Sequence, residues 1–246
     1  MSAAAPAEEP GMAPLMALEQ VSAGYGPFRA IFDVSFGLRE GTALALLGAN
    51  GAGKTTVARV CSKLVEPTSG RLYFDGHDIT EMAAHDVRRL GLAHAPEGRS
   101  VFATLTVEEN LELEFRQSLG RSGVEDGLLR AYEMFPKLGE RRKQTAGTLS
   151  GGEQRMLALA RVMVDGPRLL IADELSLGLA PLIVNEVYET LARIKDEGTS
   201  LLIIEQHIGH ALDLADDVVV LVRGGTTYVG PAFSPDQMSE HLMPSG

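Results

Sequence analysis

Cysteine occurs once in the 246 residues, at Cys61. A single thiol makes no internal disulfide and no thiolate zinc cage, so the fold rests on its apolar core and a reducing, cytoplasmic setting is expected. Long hydrophobic runs are missing too. No stretch reaches the roughly 18 to 20 consecutive apolar residues that cross a bilayer, so any membrane process is expected to be reached through a partner, without direct insertion. Positive charge is scarce: 22 Lys and Arg stand against 33 Asp and Glu, a formal net charge of −11. That balance argues against a surface built to grip nucleic acid or an anionic membrane. The opening, MSAAAPAEEPGMAP, has no basic region ahead of an apolar one, as a secretory signal requires; its Ala, Pro and Glu content predicts a mobile tail over 1–14. No internal repeat or low-complexity block follows it.

What is present is ordinary in bulk, 45% apolar and 22% charged residues, which places residues 15–246 among globular domains. The order of the patterns says more. TALALL (42–47), RLLIAD (168–173), TSLLII (199–204) and DVVVLV (217–222) are short runs rich in Leu, Ile or Val, bounded by Gly, Pro or polar residues, and read as buried strands. Helical periods occupy about 54–64, 181–197 and 207–215. This alternation predicts an α/β fold, a mostly parallel sheet with flanking helices. LMALEQVSAGYG and AIFDVSFGL read as antiparallel strands near the start. Between about 104 and 164 only helical patterns occur, including TVEENLELEFRQ with Thr106 and Glu109 placed as a capping box. That segment is expected to be an inserted helical subdomain.

Chemistry concentrates in LLGANGAGKTT, which follows a strand, opens a helix and fits G-x-x-x-x-G-K-[ST]. Gly48, Asn50, Gly51 and Gly53 let the backbone curl so that successive N–H groups form an anion nest. Lys54 would reach the β- and γ-phosphates, Thr55 would offer its hydroxyl to Mg²⁺, and Thr56 continues the phosphate-facing turn. ATP with Mg²⁺ is the expected ligand of this P-loop, a nucleoside-triphosphatase core. RLLIADE supplies a second element: an apolar strand ends in Asp173, at the sheet edge where open α/β sheets bind ligands. Asp173 suits a magnesium ligand, and Glu174 is placed to orient or deprotonate an attacking water.

TLSGGEQRMLALARVM, residues 148–163, raises a different question. From Met156 the apolar residues fall at 156, 159, 160, 163 and 164, one helical face. Gly151 and Gly152 weaken the helix at its start but leave bare N–H groups there, suited to an anion.

LSGGEQ, together with the two preceding motifs, resembles the signature of the ABC-type ATPases, and the resemblance covers about residues 15–230 in order and spacing. In that family the signature contacts the γ-phosphate bound by a second, head-to-tail subunit, so Ser150, Gly151 and Gly152 are expected to hold a partner's nucleotide. The resemblance implies further roles. Tyr25 sits where an aromatic stacks on adenine, the other reading being a strand-end tyrosine with a bonded hydroxyl. Glu97 replaces the usual glutamine near the metal. In IIEQHIGHAL the γ-phosphate-sensing histidine aligns with Gln206, with His207 one residue later as the alternative and His210 as a helix-face residue. Leu175 replaces a common proline, and Ala180 an aspartate that touches the partner.

PEGRSVF, FPKLGERR, AGTLSGGEQRMLALAR and DELSLGLAP look like one subgroup, the smaller ATPase of branched-chain amino-acid importers. The resemblance implies an ATP-hydrolysing subunit that works with a second ATPase, a different chain or another copy of this one, and with permease subunits that hold it at the inner face of the membrane. No residue here would select the solute. The rival reading is a soluble ABC ATPase of an iron–sulfur assembly complex. Repair-type ABC ATPases need long heptad arms that 56–148 lacks, and a P-loop kinase leaves LSGGEQ without a purpose.

Overall fold

The computed structural model describes residues 13–98, 100–206, 208–234 and 237. Two sheets organise them. Strands β1 (Met16–Tyr25), β2 (Phe28–Leu38), β4 (Ser69–Phe74) and β5 (His77–Asp78) form a four-stranded antiparallel sheet in the order β2-β1-β4-β5. The larger sheet contains β3 (Ala43–Leu47), β6 (Leu92–Ala95), β7 (Leu169–Asp173), β8 (Ser200–Glu205), β9 (Asp217–Val222) and β10 (Gly225–Pro231). Its order is β10-β9-β3-β8-β7-β6, parallel throughout except for the β9–β10 hairpin. The expected strands at 42–47, 168–173, 199–204 and 217–222 are β3, β7, β8 and β9, the central four.

Side-chain alternation divides the core. Leu44, Leu46, Leu169, Ile171, Leu202, Ile204, Val219 and Leu221 point to one face, where they meet β1, β2 and the helix α1 (Lys54–Cys61). Ala43, Ala45, Leu47, Leu170, Ala172, Leu201, Ile203, Val218 and Val220 point to the other. Because both faces are covered, these strands read as unbroken apolar runs instead of alternating ones. Each large side chain so buried contributes about 1.5–3 kcal/mol over exposure.

On the second face lie α3 (Val107–Ser118), α4 (Val124–Met134), α5 (Pro136–Glu140), α6 (Gly151–Met163), α7 (Pro181–Asp196) and α8 (Ile208–Leu214). The four helices from 107 to 163 share one apolar cluster with the sheet, through Leu111, Phe115, Leu138, Leu157 and Leu159 among others. The Thr106–Glu109 capping box is formed: Glu109 N–H donates to Thr106 Oγ1 at 3.1 Å, and Thr106 N–H to Glu109 Oε2 at 2.7 Å. The helical period expected to run to 64 ends at Cys61. There Lys63 takes a φ of 58°, its N–H bonding back to Val60 O and that of Leu64 to Arg59 O. Strands β4, β5, β6 and β10 and the short helix α2 (Ala84–Arg89) were not anticipated from the sequence.

Candidate nucleotide-binding and hydrolysis site

Strands β3, β8 and β7 stand side by side, with Leu47 paired to Glu205 and Asp173 to Ile204, so their carboxyl ends form one edge. Every residue singled out by the two nucleotide motifs leaves the sheet at this edge.

Residues 48–53 join β3 to α1. At Gly48 a Cβ would lie 2.5 Å from the Leu221 carbonyl oxygen, and at Gly53, with φ 105°, it would lie 2.7 Å from Ile31 Cγ2. No other residue fits those two positions. The loop is anchored from behind: Gly224 N–H donates to Ala52 O at 2.9 Å, and Phe32 N–H to Gly224 O at 2.8 Å. Its tip, Asn50 and Gly51, faces solvent, while Thr55 is half-buried and Thr56 buried. Helix α1 begins without a side-chain cap and without an acidic residue in its first turn. Its positive end is therefore left to an anion.

Lys54 is buried and donates from Nζ to Gly48 O at 3.0 Å, wrapping the loop around its own ammonium. The same Nζ lies 3.3 Å from Glu174 Oε1. The two sequence motifs thus meet in one ion pair, a contact neither predicts. Glu174 has a φ of 48°, a left-handed conformation that strains a non-glycine residue by about 1–3 kcal/mol. Its N–H to Ile204 O at 2.9 Å and the Lys54 pair hold it there.

Asp173 is 1% exposed, and neither carboxylate oxygen has a hydrogen-bond partner. A buried, unpartnered carboxylate is unfavourable without a cation, so the donor fits Mg²⁺, a hard ion that takes one or two protein oxygens and completes its shell from phosphate and water. Among the described residues no three His, Cys, Asp or Glu side chains gather around a common metal position. Glu97 lies exposed on the turn after β6 and is not clustered with Asp173 and Glu174. That turn is tied instead to α6, by Arg155 donating to Gly98 O.

Gln206 is the first residue beyond β8 and is exposed; His207 lies outside the described residues. His210 is on α8, its ring stacked on Tyr188 at 5.2 Å. Tyr25 ends β1 with 43% of its surface exposed, and its hydroxyl accepts from Arg59 Nη1 at 3.2 Å. The bonded hydroxyl is thus observed, and it leaves the ring available to a flat ligand.

At the start of α6 the predicted glycines sit at the first two helical positions behind Ser150, which caps the helix. Glu153 N–H donates to Ser150 Oγ at 3.3 Å and Ser150 N–H to Glu153 Oε2 at 2.8 Å. Burial pushes the Glu153 carboxyl up, but the Ser150 bonds and the Arg141 guanidinium outweigh it and hold the acid below its usual range. Gly151 and Gly152 keep N–H groups with no intrahelical acceptor. No described hydrogen bond or ion pair joins Ser150–Gly152 to residues 48–56.

The second glycine also has a packing reason. A Cβ at Gly152 would lie 2.2 Å from Ile183 Cγ2, whereas one at Gly151 would meet only the Leu179 Cδ2 methyl at 3.0 Å. Gly152→Ala is accordingly expected to force α6 from α7 at a cost of about 1–3 kcal/mol, lowering Tm by about 2–4 °C per kcal/mol. Gly151→Ala should stay near the parent in the same melting experiment.

Two groups at this edge escaped the sequence reading. Glu205, the last residue of β8, is 3% exposed. Burial raises its carboxyl above the usual range, bonds from Ser176 oppose this, and the Glu174 charge adds to it. Its position at the end of an otherwise apolar buried strand was the available signal. His94 on β6 sets Nδ1 2.9 Å from Ser62 Oγ and Nε2 3.9 Å from Asp173 Oδ2.

A family model described as ABC transporter matches residues 31–176. The chain is 38% identical to the high-affinity branched-chain amino acid transport ATP-binding protein BraG of Pseudomonas aeruginosa, over 85% of this chain and 90% of that protein. It is 33% identical to the probable branched-chain amino acid transport ATP-binding protein LivF of Archaeoglobus fulgidus, over 90% and 93%. The crystal structure of the ADP conformation of an ATP-binding cassette of an ABC transporter matches with a TM-score of 0.80 at 23% identity, covering 94% of each chain.

Proposed function

The chain belongs to the ABC transporter family, as an ATPase, and from that premise we propose that it powers uptake of branched-chain or other hydrophobic amino acids through a partner permease. The observation that carries the solute class is the 38% identity to the Pseudomonas aeruginosa subunit across nearly the whole of both chains. The geometry supports the energy-converting half. The edge formed by β3, β8 and β7 provides an anion loop, a buried lysine, a cation-ready carboxylate and a carboxylate base.

The residues divide the work as follows. The loop N–H groups from Gly48 to Thr56 hold the phosphates, and Lys54 exchanges its contact with Gly48 O for phosphate oxygen. Thr55 and Asp173 would hold Mg²⁺, which neutralises phosphate charge when bound. Glu174 accepts a proton from the attacking water, and Gln206, or His207 next to it in the sequence, is assigned to the γ-phosphate. Tyr25 offers its exposed ring to the adenine. Glu97, exposed on the turn after β6, is proposed as a further oxygen donor toward the metal.

Ser150, Gly151 and Gly152 are assigned to the nucleotide held by a second ATPase subunit, since no described bond joins them to this chain's own loop. ATP then closes two subunits head to tail, and hydrolysis loosens them. We assign the second position to a different chain, so that the working pair is a heterodimer. No helix among the described residues is long and apolar enough to cross a membrane, so attachment to the inner membrane face falls to the permease. Residues 1–14 are proposed to be a tail, and about 104–164 a helical subdomain that carries the signature toward the partner.

Tagging the Glu174→Gln protein, trapping it with ATP and Mg²⁺ and identifying what co-purifies from gently solubilised cells tests this reading. A polytopic membrane protein with a second, different ATPase is the expected result. A soluble scaffold without any membrane protein would overturn it in favour of an assembly ATPase.

A further inference from the structure

Ser176 donates twice to one carboxylate. Its N–H reaches Glu205 Oε1 at 3.1 Å and its hydroxyl reaches Oε2 at 2.8 Å. Both residues are 3% exposed. The two-point bond pins the loop that follows Glu174 to the last residue of β8, immediately before Gln206. Tyr188 of α7 lies near the same carboxylate, and burial followed by that nearby charge raises its phenol. His210 of α8 stacks on Tyr188 from outside.

The far end of the same loop braces the signature helix. Leu179 N–H donates to Ser176 O at 3.2 Å. Its side chain then lies within 3.0 Å of where a Gly151 Cβ would stand, and Ile183 lies within 2.2 Å of that position on Gly152. Bonded or close-packed contacts therefore run from Gln206 through Glu205, Ser176 and Leu179 to Gly151. One end of this run lies at the sheet edge from which the chain's own phosphate loop leaves, Leu47 being paired with Glu205. The other end is the helix terminus assigned to the nucleotide of the second subunit.

We propose that Glu205 is a positioning residue whose bond to Ser176 couples the two half-sites of this chain, transmitting a shift of the Gln206 turn to the N-terminus of α6. This rests on the reading that α6 closes on a second subunit's ATP. Rigid, directly bonded elements carry such coupling more readily than solvent-exposed ones. The tie touches neither Lys54 nor the phosphate loop, so it acts on cooperation between sites and not on capture of ATP.

The test is a double-mutant cycle on the complex captured through this chain, with Ser176→Ala, Glu205→Gln and the pair. Ser176→Ala removes one donor and leaves the backbone bond. Glu205→Gln keeps the volume but removes the charge and turns an NH₂ donor, in place of an acceptor, toward the Ser176 hydroxyl. Each single variant is expected to lower kcat about three- to thirty-fold and bring the Hill coefficient for ATP toward 1. Affinity of the isolated chain for a fluorescent ATP analogue should stay within about twofold, because no phosphate contact is touched. The double variant should match the singles, because both remove the hydroxyl–carboxylate bond, and Ser176→Thr, which keeps the hydroxyl, should retain the parent's cooperativity. Unchanged cooperativity in both singles, effects that multiply in the double variant, or a parallel loss of ATP affinity would each overturn the proposal. If Ser150→Arg also leaves hydrolysis cooperative, the signature reading itself fails; if Ser150→Arg abolishes cooperativity while Ser176→Ala does not, only the coupling fails.

Discussion

Replacing Glu174 by glutamine is expected to leave ATP bound and slow its hydrolysis by about 10²–10⁴-fold, the usual contribution of a positioned general base. The amide keeps the shape of the side chain, so the left-handed backbone at 174 and the bond from its N–H to Ile204 O are retained. What is lost is the ability to take a proton from water. The Lys54 ammonium keeps an oxygen acceptor at this position but loses the negative charge 3.3 Å away, so it is freer to turn to phosphate and ATP affinity should hold or rise. Phosphate release at saturating ATP, set beside a titration with a fluorescent ATP analogue, separates the two effects. Normal turnover in the variant would move the base to another group along the edge.

Lys54→Ala should act at the opposite step. Removing the ammonium takes away the one side-chain cation bonded within the loop. ATP affinity is expected to fall at least about a hundredfold, equivalent to about 2.8 kcal/mol at 1.4 kcal/mol per factor of ten. The structure adds a second, less obvious consequence. Glu174 would stay buried with its countercharge gone, and breaking a buried pair from one side costs about 3–5 kcal/mol. Lys54→Ala should therefore melt earlier than the parent, and Glu174→Gln in the same chain should return most of the loss. Melting curves for the four proteins show this directly; a melting temperature untouched by Lys54→Ala would mean that the pair contributes nothing to stability.

Much of this was legible from residues alone, for identifiable reasons. The loop at 48–56 and the strand-end pair at 173–174 are each contiguous, so the residues that the structure brings to one edge could be picked out from their types and spacing. The strands β3, β7, β8 and β9 are covered on both faces, so they stand out as apolar runs. Strand β6 did not, because LAHA is four residues long, half alanine, and carries His94 toward Asp173. Strand β4, SGRLYF, alternates exposed and buried residues over a short span and offered no run to notice. The Ser176–Glu205 bond joins positions 29 residues apart, and nothing local signals that a serine after one strand will meet an acid ending its neighbour. The Lys54–Glu174 pair is hidden for the same reason, although both residues were picked out individually.

The strand order has a bearing on how the protein is made. Strand β3, which launches the phosphate loop, pairs only with β8 and β9. Ala43 finds its partner at Leu201. A chain growing at about 5–20 residues per second leaves that strand without neighbours for roughly 8 to 30 seconds after it is synthesised. Such distant pairings also fold slowly, because a long loop must close before any contact compensates for it. The sheet edge from which the loop leaves is therefore incomplete until both later strands have been synthesised. Until then β3 is a bare apolar strand with unpaired edges, the kind of segment that chaperones shield.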